Sequence, residues 1–157
     1  MTAIILGLGS NIGHRIAHLR EALCQLEKIS ELQIEHYSPV YESDALLPDA
    51  APAGWDQPYL NMAVRCVSSL SPAALLAQLK AIEQAMGRSY YARWSPRIID
   101  IDILAWGTLR LDSAALTIPH PELEKRPFAL WPLLDVMPEW TCSAPASWGR
   151  QRSIYRT

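Results

Sequence analysis

Ile98-Ile99-Asp100-Ile101-Asp102-Ile103-Leu104 reads as a strand, because it is dense in β-branched side chains. Side chains alternate along a strand, so Ile99, Ile101 and Ile103 take one face and Asp100 and Asp102 the other. Two strand steps set the acids roughly 6.5 Å apart along the backbone, close enough for their carboxylates to share one or two small, hard cations. Unpaired, two acids on one face of an apolar strand repel each other and are costly to bury. A divalent metal relieves both problems. The plainer reading is a strand whose outer face meets water, since surface acids are common. Arg93 and Arg97 precede the pair and supply the charge that a polyphosphate would meet beside a metal.

Working back from this strand, residues 88–97 form a connecting segment, and before it lies a well-punctuated helix. Ser71 fits its N-cap, Pro72 its first position and Gly87 the residue past its end. Leu75, Leu79, Ile82 and Met86 recur at helical spacing and make its buried stripe. Upstream of that, residues 59–67 alternate, with Leu60, Met62, Val64 and Cys66 on one side and Tyr59, Asn61 and Arg65 on the other. Residues 44–58 are rich in Ala and Pro and lack periodicity, so they read as a long loop. A further strand is expected at about 33–42. Before it, Ile16, Leu19, Leu23 and Leu26 mark an amphipathic helix ending near Lys28, and residues 3–8 a buried first strand closed by Gly9.

Downstream of the acidic strand, Gly107 opens a hairpin toward Leu116-Thr117-Ile118. Pro119-His120-Pro121 breaks it, and residues 128–134 read as a short helix despite Pro132. The order strand, helix, strand, strand, helix, strand fits an α+β fold: a ferredoxin-like βαββαβ antiparallel sheet with flanking helices and an added C-terminal hairpin and helix.

The 157 residues suit one domain with a full core. Half are apolar, 19% are charged and the net charge is -2, so nothing draws the chain toward nucleic acid or an anionic membrane. No apolar run approaches the ~20 residues of a membrane span. The start Met1-Thr2-Ala3-Ile4 lacks the basic region of a secretory signal. Cys24, Cys66 and Cys142 are odd in number and form no metal-like pairs. Cys24 and Cys66 read as reduced core thiols of a cytoplasmic protein.

Other candidates are weaker alone. Gly7-Leu8-Gly9-Ser10-Asn11-Ile12-Gly13 has the spacing G-x-G-x-x-x-G, which is wrong for a dinucleotide fingerprint. It reads as a tight strand-to-helix connection. Tyr59 and Asn61 share a strand face, where a ring and an amide can stack on a planar heterocycle and pair with its edge. Arg88, Arg93, Arg97 and Arg126, with His120 held between two prolines, gather in sequence around the acids. A solvated rim of arginines is the plain alternative. Glu83, at the edge of the apolar stripe, reads by default as a helix-surface charge.

Together these segments resemble the 6-hydroxymethyl-7,8-dihydropterin pyrophosphokinase family of folate biosynthesis. The resemblance rests on Leu6-Gly7-Leu8-Gly9-Ser10-Asn11, Ser38-Pro39-Val40-Tyr41-Glu42-Ser43, Gln57-Pro58-Tyr59-Leu60-Asn61 and Ile82-Glu83 with Gly87-Arg88. It continues through Arg93-Trp94-Ser95-Pro96-Arg97, Asp100-Ile101-Asp102-Ile103 and Ile118-Pro119-His120-Pro121 with Arg126-Pro127-Phe128. They run in family order from Leu6 to about Glu139.

The resemblance implies a single pyrophosphokinase domain over residues 1–157 that moves the β,γ-pyrophosphoryl group of ATP to the pterin hydroxymethyl group, releasing AMP. It implies that Asp100 and Asp102 hold two Mg²⁺ ions, and that Arg88, Arg97, His120 and Arg126 clamp the phosphates. Glu83, Trp94, Ile103, Leu116 and Thr117 would line the nucleotide site. Tyr59 and Phe128 would sandwich the pterin, with Asn61 on its edge and Ser43 and Leu46 meeting it through their backbones. ATP and magnesium are expected to bind first, and segments 44–58 and 88–97 then to close. The partners implied are these small molecules, with the protein acting as a monomer. The chain departs from the family pattern after Ser43, where Asp44-Ala45-Leu46-Leu47-Pro48 lacks the usual Pro and Gly, at Trp55, and at Ala115.

Two other functions fit parts of this set. A metal-dependent transferase using ATP on another alcohol would keep the Asp and Arg residues but have no use for Tyr59, Asn61 and Phe128. A non-catalytic binding module would have no reason to hold two repelling acids.

Overall fold

The structure, a computed structural model, describes residues 2–44, 50–51, 53, 57–87, 97–123 and 127–140. Its elements are β1 (Ile4–Ser10), α1 (Arg15–Glu27), β2 (Leu32–Tyr37), β3 (Tyr41–Ser43) and β4 (Tyr59–Ser68). After these come α2 (Pro72–Ala85), β5 (Asp100–Trp106), β6 (Leu111–Asp112), β7 (Thr117–Ile118) and α3 (Pro127–Val136). The main sheet has the order β2-β4-β1-β5, with β3 continuing beside β4. Every neighbour pair in it is antiparallel, so β1 and β2 run in the same direction with β4 between them, the split arrangement expected for βαββαβ.

Both crossover helices form where expected, α1 from its apolar periodicity and α2 from its punctuation. The Ser71 hydroxyl accepts the Ala74 N–H at 3.2 Å, Pro72 starts α2, and Gly87 leaves it at φ 88°, a left-handed turn that favours glycine. α1 buries Leu19, Ala22, Leu23 and Leu26. The two helices cover one face of the sheet, meeting Ile4, Leu6 and Leu8 of β1, Leu60, Met62, Val64 and Cys66 of β4, and Ile101 and Ile103 of β5. α3 covers part of the other face, where Leu130, Leu133 and Val136 pack on Ile5, Ala63, Leu104 and Ala105. Each large aliphatic side chain buried this way stabilises the fold by about 1.5–3 kcal/mol.

Three expectations need correction. β1 does not close at Gly9 but runs to Ser10, so Gly7 and Gly9 lie inside a central strand and not in a turn. The strand expected at 33–42 is broken at Pro39, which has no N–H to give the ladder. There the Ser38 hydroxyl takes over, accepting the Ala63 N–H and donating to Pro39 O, both at 2.8 Å. The hairpin expected after Gly107 does form, pairing Leu111 with Ile118 and Asp112 with Thr117 in its own two-stranded sheet. Cys24 is exposed, because it falls outside the 19-22-23-26 stripe of α1, whereas Cys66 is buried as expected.

Candidate active site

Pairing across the sheet sets polar residues around the two glycines of β1. Gly9 lies between Asn61 of β4 and Asp100 of β5, and Gly7 between Ala63 and Asp102. Asn61 and Asp100 are thus two strand spacings apart, roughly 10 Å at the Cα level. Gly9 carries no side chain because its neighbours occupy the space: a Cβ there would lie 3.2 Å from Asn61 Oδ1 and 3.5 Å from Tyr59 Cδ1. The result is a bare floor flanked by an amide and a ring on one side and a carboxylate on the other. Asn61 is oriented by donating from Nδ2 to Ser43 Oγ at 2.8 Å, a hydroxyl supplied by β3. Tyr59, Asn61, Asp100 and Asp102 all keep partial exposure, so a ligand can reach them.

The acids sit on an edge strand whose backbone is secured from two directions. Glu83 of α2 is fully buried, and its Oε2 accepts the N–H of Ile101, the residue between Asp100 and Asp102, at 3.0 Å. Its other oxygen is 3.2 Å from Lys80 Nζ. The default reading of Glu83 as a helix-surface charge is therefore overturned, since the edge of β5 lies against that side of α2. Farther along β5, the His120 N–H donates to Leu104 O at 2.9 Å. The His120 ring accepts the Glu122 N–H at Nδ1, 3.2 Å away, so a neutral ring carries its proton on Nε2. Arg97 reaches back to Asp100, with Nη1 3.4 Å from Oδ2.

Among the described residues, no group of three or more His, Cys, Asp or Glu side chains is arranged to hold a metal. A carboxylate pair by itself still suits magnesium, which keeps several waters and takes one or two carboxylates plus phosphate oxygens. The donor set present here therefore fits that ion.

Phe128 begins α3, half-buried and edge-on to Trp131 with ring centroids 5.4 Å apart. Trp131 in turn lies 6.4 Å from the ring of Tyr41, the cross-strand partner of Asn61. Ile103 is buried on the helix side, so its side chain is taken up by core packing, with Leu116 packed against the same cluster. Thr117 is half-buried on β7. Leu46, Arg88, Trp94 and Arg126 lie outside the described residues, as do Arg93 and most of segments 44–58 and 88–97.

Two ionisable groups outside the site are strongly perturbed by their surroundings. Burial pushes the Cys66 thiol up to about 12, which leaves no thiolate for chemistry at neutral pH. Tyr37 is likewise raised to about 12, by its hydrogen bond to Glu27. Two features escaped the sequence reading. Gly9 was visible but misplaced in a turn, and buried Asn11 stood in a quoted motif with no role attached.

The sequence model described as 7,8-dihydro-6-hydroxymethylpterin-pyrophosphokinase (HPPK) matches residues 5–138. The 2-amino-4-hydroxy-6-hydroxymethyldihydropteridine pyrophosphokinase of Synechocystis sp. is 40% identical over 137 residues, 87% of this chain and 67% of that protein. The Aquifex aeolicus protein of the same description is 40% identical over 140 residues, 88% of this chain and 82% of its own. A solved HPPK-DHPS chain in complex with substrates superposes with a TM-score of 0.66 at 15% identity, over 91% of this chain and 41% of that one. At that identity the likeness speaks to the fold, and the chain spans about two fifths of the solved one.

Proposed function

This chain belongs to the 7,8-dihydro-6-hydroxymethylpterin-pyrophosphokinase family, and on that premise we propose that it diphosphorylates 6-hydroxymethyl-7,8-dihydropterin from ATP in folate biosynthesis. The observation that carries this reading is the row Asn61, Gly9, Asp100: a partly exposed amide and a partly exposed carboxylate on either side of a residue without a side chain. An amide beside a ring suits a planar heterocycle, and a carboxylate that holds a divalent cation suits a polyphosphate.

In the reaction the pterin hydroxymethyl oxygen bonds to the β-phosphorus of ATP. The bond from that phosphorus to the oxygen bridging toward the α-phosphate breaks, AMP leaves with that oxygen, and the hydroxyl proton is released. Such transfers depend on alignment and charge neutralisation more than on covalent help from the protein. Asp100 and Asp102 would hold two Mg²⁺ ions, which supply neutralisation of the phosphate charge when bound. Arg88, Arg97, His120 and Arg126 bind the triphosphate, and Glu83, by fixing the backbone between the two aspartates, keeps both on one face. Trp94, Leu116 and Thr117 line the nucleotide side, to which Ile103 offers only its backbone, its side chain being in the core. Tyr59 and Phe128 stack on the pterin, Asn61 reads its edge, and Ser43 orients Asn61 while meeting the ring together with Leu46.

We take residues 1–157 as one pyrophosphokinase domain that works as a cytoplasmic monomer on these small molecules, with neither nucleic acid nor membrane as partner. The net charge of -2 gives no pull toward nucleic acid or an anionic membrane, and among the described residues no helix is long and apolar enough to cross a membrane. The test is AMP release from ATP with the dihydropterin, with and without magnesium. AMP and diphosphorylated pterin should appear only when both pterin and metal are present. Equal AMP formation with an unrelated alcohol, or none with the pterin, would overturn the reading.

A further inference from the structure

Phe128, Trp131 and Asp135 stand three and four residues apart and so share one face of α3. The Tyr41 hydroxyl of β3 donates to Asp135 Oδ2. The Tyr41 ring lies 6.4 Å from that of Trp131, which meets Phe128 edge-on at 5.4 Å. Tyr41 and Trp131 are both buried, so this row of rings is packed, and it ends at half-buried Phe128. The start of α3 has little support of its own. Pro132 has no N–H to give the carbonyl of Phe128, four residues before it, so the usual helical bond cannot close there. Two residues along β3 from Tyr41, on the same face, the Ser43 hydroxyl takes the Asn61 amide at 2.8 Å. Strand β3 thus holds Asn61 through Ser43 and reaches the helix that bears Phe128 through Tyr41.

We propose that Tyr41 and Asp135 are positioning residues that set the distance of the Phe128 ring from Tyr59 and Asn61, and with it the affinity for the pterin. That the occupant is a pterin rests on the function proposed above. A planar ring held by stacking gains only where both walls touch it. A gap opened by about 0.5–1 Å forfeits roughly a quarter to a half of each contact. The wall that Phe128 supplies therefore has to be held in place from outside its own helical turn. A phenol hydroxyl on a carboxylate suits this, because hydrogen bonds to charged acceptors are among the stronger ones. Tyr41 is fully buried, so it acts through Trp131 and Phe128 and not by meeting the ligand. A merely cohesive pair would lower stability and leave pterin affinity untouched in the folded protein.

Three substitutions test this on the full chain. Tyr41→Phe keeps the ring against Trp131 and removes only the hydroxyl, Asp135→Asn keeps an acceptor oxygen for it, and Asp135→Ala removes the acceptor. Calorimetry with oxidised 6-hydroxymethylpterin, in saturating magnesium and α,β-methylene-ATP, reads pterin affinity. A separate titration of the nucleotide analogue alone reads nucleotide affinity. Tyr41→Phe and Asp135→Ala should each weaken pterin binding by about tenfold, with nucleotide affinity within about twofold of wild type. Asp135→Asn should bind pterin within about threefold of wild type. In a Phe128→Ala background, Tyr41→Phe should have no further effect, because the ring it positions is gone. Wild-type pterin affinity in Tyr41→Phe, a loss that adds to that of Phe128→Ala, Asp135→Asn as weak as Asp135→Ala, or an equal loss of nucleotide affinity overturns the assignment and leaves the proposed function standing. A wild type that does not bind the pterin overturns both. Should Asp135→Ala fail to fold, Tyr41→Phe decides alone, since it takes only one oxygen from the core.

Discussion

The two faces of the main sheet are built from the same strands and do opposite work. On the helix side, Leu8, Met62 and Ile101 stand in register and disappear beneath α1 and α2. One residue over, on the other side, stand Gly9, Asn61 and Asp100, where the glycine has no side chain to pack and Asn61 and Asp100 stay partly exposed. α3 covers only part of that second face, around Ile5, Ala63 and Leu104. Strand alternation thus separates the residues that hold the fold from those that meet substrates, and a change of one residue in register crosses from one duty to the other.

Three sets of substitutions probe this division. Asp102→Ala should lower turnover by about 10³-fold or more, since on the proposed reading it removes a ligand of the metal that neutralises the phosphates. Its unfolding midpoint should change little, because Asp102 is only half-buried. Single-turnover AMP release with a parallel denaturant titration measures both, and retention of most of the rate would break the comparison outright.

On the opposite side, Leu79→Ala in the buried stripe of α2 should cost about 3 kcal/mol of stability in denaturant. Turnover per folded molecule should stay as in the wild type. A large loss of activity in the folded variant would show that the helix side also tunes chemistry.

The smallest and sharpest effects belong to the two glycines of β1. A Cβ at Gly7 would come within 2.9 Å of Leu104 Cδ1, beneath α3, so Gly7→Ala should cost about 1–3 kcal/mol of stability by overpacking. A Cβ at Gly9 would come within 3.2 Å of Asn61 Oδ1, so Gly9→Ala should weaken pterin binding by about fivefold, close to 1 kcal/mol, with little change in stability. Reversed outcomes would place the boundary between packing and chemistry elsewhere along the strand.

What could be read from the chain beforehand follows the range of the interactions involved. Helix α2 was legible because Ser71, Pro72 and Gly87 act on their immediate neighbours. The acidic pair was legible because alternation along β5 is a local rule. Gly7 and Gly9 were misread because a glycine that clears room for a cross-strand side chain looks the same in sequence as one that turns the chain. Only the register with Asn61 and Asp100 separates the two cases. Glu83 was misread for a related reason: its burial depends on an edge amide eighteen residues later in the chain. Nothing near Pro39 announced that Ser38 would bridge the break in its strand, and the buried amide of Asn11 could be seen to hold Gln57 O and the Arg97 N–H only from the structure.

The placement of Glu83 and His120 along β5 has a consequence for how copies of this protein meet one another. A strand at the rim of a sheet is an invitation for a foreign segment to zip onto it. Here the Ile101 donor is claimed by a sunken carboxylate and the Leu104 acceptor by a histidine amide. An incoming β-segment would have to evict both before gaining its first contact, so the rim that bears the acids is guarded against aggregation.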